Sequence, residues 1–208
     1  MEINLKPLSE KETYALLTQT IIPRPIAWVL TDNSLEGDAR WNLAPFSFFN
    51  GIASDPPMVM FSIGSLDVSG KVKDTLANAR EKKSFTIGIA SQQLVKQVQQ
   101  TSTELSPGVS EVTEYGISVT PWDWPTPLID GCGINFACTL VKEILIEESS
   151  QILIFALVAK IWVRDDAISR DYKDRIMIDP KVIDPLLRLG AGQYGNLGSV
   201  LPTPRVAP

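Results

Sequence analysis

The chain has 208 residues, 44% of them hydrophobic and 21% charged, a globular balance unlike that of a disordered segment and enough to bury a core without disulfide staples. A net charge of -5 and a pI near 4.8 argue against nucleic acid as the main ligand, since phosphate backbones select basic faces. With no histidine and two cysteines, a Ser-His-Asp triad, a Cys-His pair and a histidine-ligated zinc site are excluded within one chain.

From the N-terminus, Ser9 to Leu17 reads as a short helix, with Ser9 as N-cap and Glu12 completing a capping box. Pro23 and Pro25 then forbid helix, and Ile26 to Thr31 reads as a strand. "DNSLEGD" is a hairpin loop, after which the chain returns to about Ala44. Pro45 is expected to release the backbone from pairing. Met58 to Ile63 is a second strand, entered through the Asp-Pro-Pro break at residues 55–57. "KDTLANAREKK" reads as a helix with Asp74 as N-cap. Ser84 to Ala90 alternates, with Phe85, Ile87 and Ile89 on a bulky face and Thr86 and Gly88 on a small one. "SQQLVKQVQQTS" is a further short helix with Ser91 as cap, followed by a polar loop to about Ser110.

Ile117 to Thr120 is a short strand, and the proline-rich "PWDWPTPLIDG" is irregular, its Trp122 and Trp124 covering the barrel or an interface. Ile134 to Ile146 and Gln151 to Val163 are long apolar strands joined by "EESS". "DPLLRLGAGQYGNLG" closes with one helical turn and a glycine-rich tail. Six or seven strands, paired mostly as hairpins, favour a mainly β antiparallel barrel. A single domain is expected over residues 1–208, with a tail from about 180 to 208.

Cys132 and Cys138 match no metal or redox spacing and read as buried free thiols. With no apolar leader and no run long enough to span a bilayer, a cytoplasmic protein without a membrane partner is expected. "GSLDVSGKV" misses the P-loop spacing, and no dinucleotide fingerprint occurs. Two stretches remain as candidate sites. Lys73, Asp74 and Thr75 lie at a helix start, where free N–H groups and a partial positive charge suit phosphate; an exposed helix with solvated lysines is the alternative. Asn42, Ala44 and Ser47 stand among Leu43, Pro45, Phe46, Phe48 and Phe49, which suits a flat heteroaromatic ligand and equally suits a buried core.

Three motifs, "IIPRPIAWVLTDN", "NLAPFSFFNGIASDPPMVMFSIG" and "KDTLANAREKKSFTIGIAS", together with a weaker "PLLRLGAGQYGNLG", resemble the flavin reductase-like, FMN-binding split-barrel family, which includes flavoredoxins and the reductase components of two-component flavin monooxygenases. The resemblance implies a six-stranded antiparallel split barrel that dimerises. It implies FMN as cofactor, with NAD(P)H as electron donor and a monooxygenase or redox protein as partner. It implies that Asn42, Ala44, Pro45, Phe46 and Ser47 line the isoalloxazine ring. Ser62, Lys73, Asp74 and Thr75 are implied near the ribityl chain or phosphate. Arg24 and Tyr194 are weaker candidates, each explained equally well as structural. No protein group is implied as a catalytic acid or base. The absence of histidine, which many relatives carry near the nicotinamide, and Ala137 before Cys138 where several carry glutamate, put the electron donor in question.

Overall fold

The computed structural model describes residues 1–202 apart from 68 and 107; the expected tail beyond 202 lies outside them. Helix α1 (Glu10–Thr20) opens with the anticipated capping box, Ser9 and Glu12 satisfying each other's backbone N–H. Strand β1 (Ala27–Asp32) leads through the hairpin loop to β2 (Trp41–Phe46), then β3 (Phe49–Ser54) and β4 (Pro57–Gly64). Helix α2 (Asp74–Lys82) and strand β5 (Ser84–Ala90) follow, then α3 (Val95–Gln100) and a four-residue helix α4 (Glu111–Glu114). The pair β6 (Val119–Thr120) and β7 (Leu128–Ile129) precedes the long hairpin β8 (Cys132–Leu145) and β9 (Gln151–Val163). A small hairpin, β10 (Ile168–Arg170) and β11 (Ile176–Ile178), and helix α5 (Pro180–Ile183) lead to the hairpin β12 (Leu187–Gly190) and β13 (Gln193–Gly195).

The main sheet has seven strands in the order β2-β1-β5-β8-β9-β4-β3, all antiparallel. The six strands implied by the resemblance become seven, the upper of the two counts read from the sequence, through β3, whose pairing with β4 follows from the Asp-Pro-Pro turn. β2 and β3 stand at opposite ends of this order, yet only Ser47 and Phe48 separate them in sequence. Three Cα steps reach at most about 11 Å, so the sheet must curl until its two ends nearly meet. That curl is the split barrel, and Ser47–Phe48 crosses its seam. Phe46 of β2 meets Phe61 of β4 inside, with ring centroids 5.2 Å apart, and the Ser62 N–H donates to the Phe48 carbonyl at 2.9 Å.

One core fills the barrel, built on Val29, Phe61, Phe85, Ile87 and Ile154. A second lies outside the sheet beneath α3 and the 112–130 region, built on Trp28, Leu30, Leu43, Val98 and Ile129. β5 serves both: Phe85 and Ile87 enter the barrel, while Thr86 on the small face bonds Thr126 at 2.8 Å. Ile89, expected with the bulky face, is only half-buried. Cys132 and Cys138 are free and buried, and burial raises both thiols above their ordinary range.

Several local expectations are corrected. Pro45 stays paired in register with Trp28; β2 is a sheet edge, where a missing N–H costs nothing. Lys73, not Asp74, holds the cap position of α2, and Asp74 is the first helical residue. Ser91 starts a 3-10 turn, Gln92–Leu94, without a side-chain cap bond, and α3 follows it. The strand expected from Ile117 is confined to β6, and the proline-rich stretch after it contains β7. The glycine-rich terminal segment is a hairpin rather than a loose tail: Gly190 has φ +99°, and a Cβ there would lie 2.5 Å from the Thr18 carbonyl oxygen.

Candidate functional site

Two adjoining cavities lie at the seam, of about 550 Å³ and 140 Å³. Pro45, Phe46, Lys73 and Ser102 line both. The larger also takes Ser47, Phe48 and Ser62 from the barrel, Thr13, Tyr14 and Leu17 from α1, and Arg188 and Tyr194 from the C-terminal hairpin. The smaller takes Asn42, Ala44, Asp74, Thr75 and Glu111. All nine candidate residues therefore surround one composite space. Its larger part falls within the roughly 300–1,000 Å³ of ordinary cofactor clefts.

The local sequence explains the placement. β2 brings Asn42, Ala44 and Phe46 to one face by strand alternation, and the tight crossing to β3 leaves Ser47 and Phe48 at the mouth. Asn42 is buried, and its Nδ2 donates to Thr31 Oγ1 at 3.1 Å and to Thr75 Oγ1 at 2.8 Å. Thr31 also accepts from Asn78 at 3.0 Å. This buried polar network ties α2 to the sheet, so the start of α2 cannot drift from β2.

The N-terminus of α2 carries no side-chain cap bond, which leaves its first N–H groups without a capping partner, and Lys73, Asp74 and Thr75 there line the smaller cavity. Lys73 Nζ lies 3.5 Å from Glu104. The neighbouring acids have local partners: Asp74 lies 3.6 Å from Lys71, and Asp67 is held below its ordinary range by the Ser69 hydroxyl and the Lys71 N–H. A lysine, a threonine hydroxyl and an uncapped helix start are a donor set suited to phosphate, and Pro45, Phe46 and Phe48 offer apolar walls to a flat ring. The residues thus fit a flavin mononucleotide.

Arg24 is buried. Its Nη1 donates to the Thr18 carbonyl and to Ile21 O at 2.5 Å, and its Nε donates to Ser47 Oγ at 3.3 Å. One side chain thus joins the end of α1 to the seam, which makes its structural reading concrete. Tyr194 unites both of its alternatives: it lines the larger cavity, packs on the outer core, and lies under Arg188 at 4.5 Å. Trp124 Nε1 reaches the Phe85 carbonyl at 3.3 Å, so the tryptophan loop covers the outside of the sheet and stays away from the seam.

Sequence reasoning missed α1 as a cavity wall and missed Glu111. Tyr14 and Leu17, an i,i+3 pair of large side chains on one face of α1, were a signal for the first, and both line the larger cavity. Glu111 Oε2 accepts the Leu43 N–H at 3.0 Å, and burial raises its carboxyl above the ordinary range despite that bond. No pattern near residue 111 points to this contact.

A family model described as "Flavin reductase like domain" matches residues 19–187. The chain is 32% identical over 197 residues, 92% of each chain, to the uncharacterized protein YwrF of Bacillus subtilis. Among solved structures it resembles nitrilotriacetate monooxygenase component B from Bacillus cereus, at 29% identity and a TM-score of 0.82, covering 98% of each chain. It also resembles the 2-nitrobenzoate 2-nitroreductase NbaA of Pseudomonas fluorescens, at 26% identity and a TM-score of 0.83, covering 100% of this chain and 98% of that one. A match over most of the chain, on a sheet that curls into a split barrel, makes it a member of the flavin reductase-like family.

Proposed function

We propose that the chain binds FMN at the barrel seam and reduces it with NADH or NADPH, for use by a downstream acceptor or a partner monooxygenase. The convergence of all nine candidate residues on one composite cavity carries this reading. Pro45, Phe46 and Ser47 would face the ring, with Asn42 and Ala44 along its edge. Lys73, Thr75 and the first N–H groups of α2 would hold the phosphate, and Ser62 and Asp74 would flank the ribityl chain. Ser62 Oγ donates to Gln151 at 2.9 Å, which fixes its lone pairs for a ribityl hydroxyl.

When bound, FMN supplies a two-electron acceptor for the nicotinamide's hydride. The chain's own part is to hold ring and donor together, which needs no acid or base from the protein. Tyr14 and Leu17, exposed on the wall of the larger cavity, suit a homodimer in which a second copy borders the site. The likeness to a monooxygenase component supports a reductase that serves a partner.

The absence of histidine favours a second reading, a flavoredoxin-like carrier that keeps FMN and takes electrons from a protein. The visible spectrum after FMN addition and desalting, then after anaerobic NADH or NADPH, separates the two. Retained bands that bleach are expected for the reductase. Bands that persist would point to the carrier or to a non-catalytic flavin-binding module. No retained flavin, together with no turnover in excess FMN, would overturn the proposal.

A further inference from the structure

We propose that Glu111 is a positioning residue for the flavin site, acting through β2 rather than on the ligand; this rests on the reading of the site just given. β2 ends the sheet, so alternate backbone groups on its outer side have no strand to pair with. Helix α4 meets them instead. Ser110 Oγ donates to the Trp41 carbonyl at 2.5 Å, and Glu111 Oε2 accepts the Leu43 N–H at 3.0 Å. The next outward position is Pro45, which has no N–H to satisfy. Two adjacent side chains therefore take the place of a neighbouring strand along the stretch that carries Asn42, Ala44 and Pro45.

The Glu111 bond acts on the peptide that joins Asn42 to Leu43. It fixes the plane of that peptide and with it the direction of Asn42, whose amide reaches Thr75 at 2.8 Å. Leu43 is fully buried, so an apolar residue at 111 would orphan its N–H. The surroundings do not otherwise favour a carboxylate. Burial first, and then Asp74 of α2, raise its proton affinity, and Asp67 and Glu104 line the same cavity, where Lys73 is the cation among the described lining residues. What Glu111 gives in such a place is the oxygen it offers to β2.

The test is fluorescence titration of FMN and of riboflavin, which lacks the phosphate, against the full chain and its Glu111→Gln and Glu111→Ala variants. Melting curves of the flavin-free proteins accompany it. Glutamine keeps an oxygen for Leu43, and its Kd for both ligands is expected within about threefold of the parent. Alanine is expected to weaken both ligands by about tenfold or more. Unchanged affinity in Glu111→Ala would overturn the inference. So would a loss confined to FMN, which would place the effect at the phosphate, and so would equal losses in both variants, which would make charge the cause. If Glu111→Ala does not fold, Glu111→Asp, whose shorter side chain draws the oxygen back from the Leu43 N–H, replaces it, and unchanged affinity for both ligands there would overturn the inference equally. A parent chain that binds neither flavin would instead refute the underlying site.

Discussion

Thr75 is buried and accepts a hydrogen bond from Asn42, so its own hydroxyl proton remains to be given, and the smaller cavity lies beside it. Lys73, 3.5 Å from Glu104, adds a cation at the same helix start. Replacing both, as Lys73→Ala with Thr75→Ala, is expected to weaken FMN by about 10- to 100-fold, the cost of losing charge-assisted bonds, and to leave riboflavin little affected; parallel titrations check it. Glu111 gives a pH prediction. Its folded form holds the proton to higher pH than the unfolded chain does. Between the two values the native state binds more protons, so stability falls as pH rises through that window and is level on either side. Glu111→Gln should remove this slope, as urea midpoints measured across acid to neutral pH would show. Lys73 and Thr75 were legible in sequence because a helix start is a local pattern. Glu111 was not, because its partner lies 68 positions away.

The elements themselves were set by short-range signals. α1 starts where Ser9 and Glu12 form a capping box, and Ser9→Ala should cost about 1 kcal/mol of stability. β5 shows a pattern whose meaning needed its neighbours. Its bulky face was readable as core, but its small face is small because something packs there: a Cβ on Gly88 would lie 2.7 Å from Cys132 Sγ and 2.9 Å from Ile129 Cδ1. Gly88→Ala should therefore destabilise the chain by about 1–3 kcal/mol through overpacking, read as a lowered urea midpoint. Pro45 taught the opposite lesson. Proline breaks pairing inside a sheet, but on the outer side of an edge strand the lost donor has no partner to miss, and only the strand order identifies the edge.

Across the whole molecule, the site exists because β2 and β3 are neighbours in sequence and ends of the sheet in space. A ligand held at that seam would join both ends of the barrel to α1, α2 and the C-terminal hairpin, and its binding energy would add to the stability of the folded state. At 100 times its Kd, FMN should add about 2.7 kcal/mol, a rise of roughly 5–10 °C in Tm for a chain of this size; calorimetry with and without FMN tests it, and the Lys73, Thr75 double variant at the same FMN concentration should show a smaller rise. Among the described residues no helix is long and apolar enough to cross a membrane. The sequence by itself determined the mainly β antiparallel class, the start of α1, the β1–β2 and β8–β9 hairpins and a set of residues that the fold gathers around one cavity, because periodicity, proline and capping act within a few residues. Only the tertiary structure decided that β3 adds a seventh strand, that the sheet curls until its edges almost meet, and that α1, Arg188 and Glu111 complete the cavity. Those contacts join residues far apart in the chain, and local preference carries no information about which distant face will arrive.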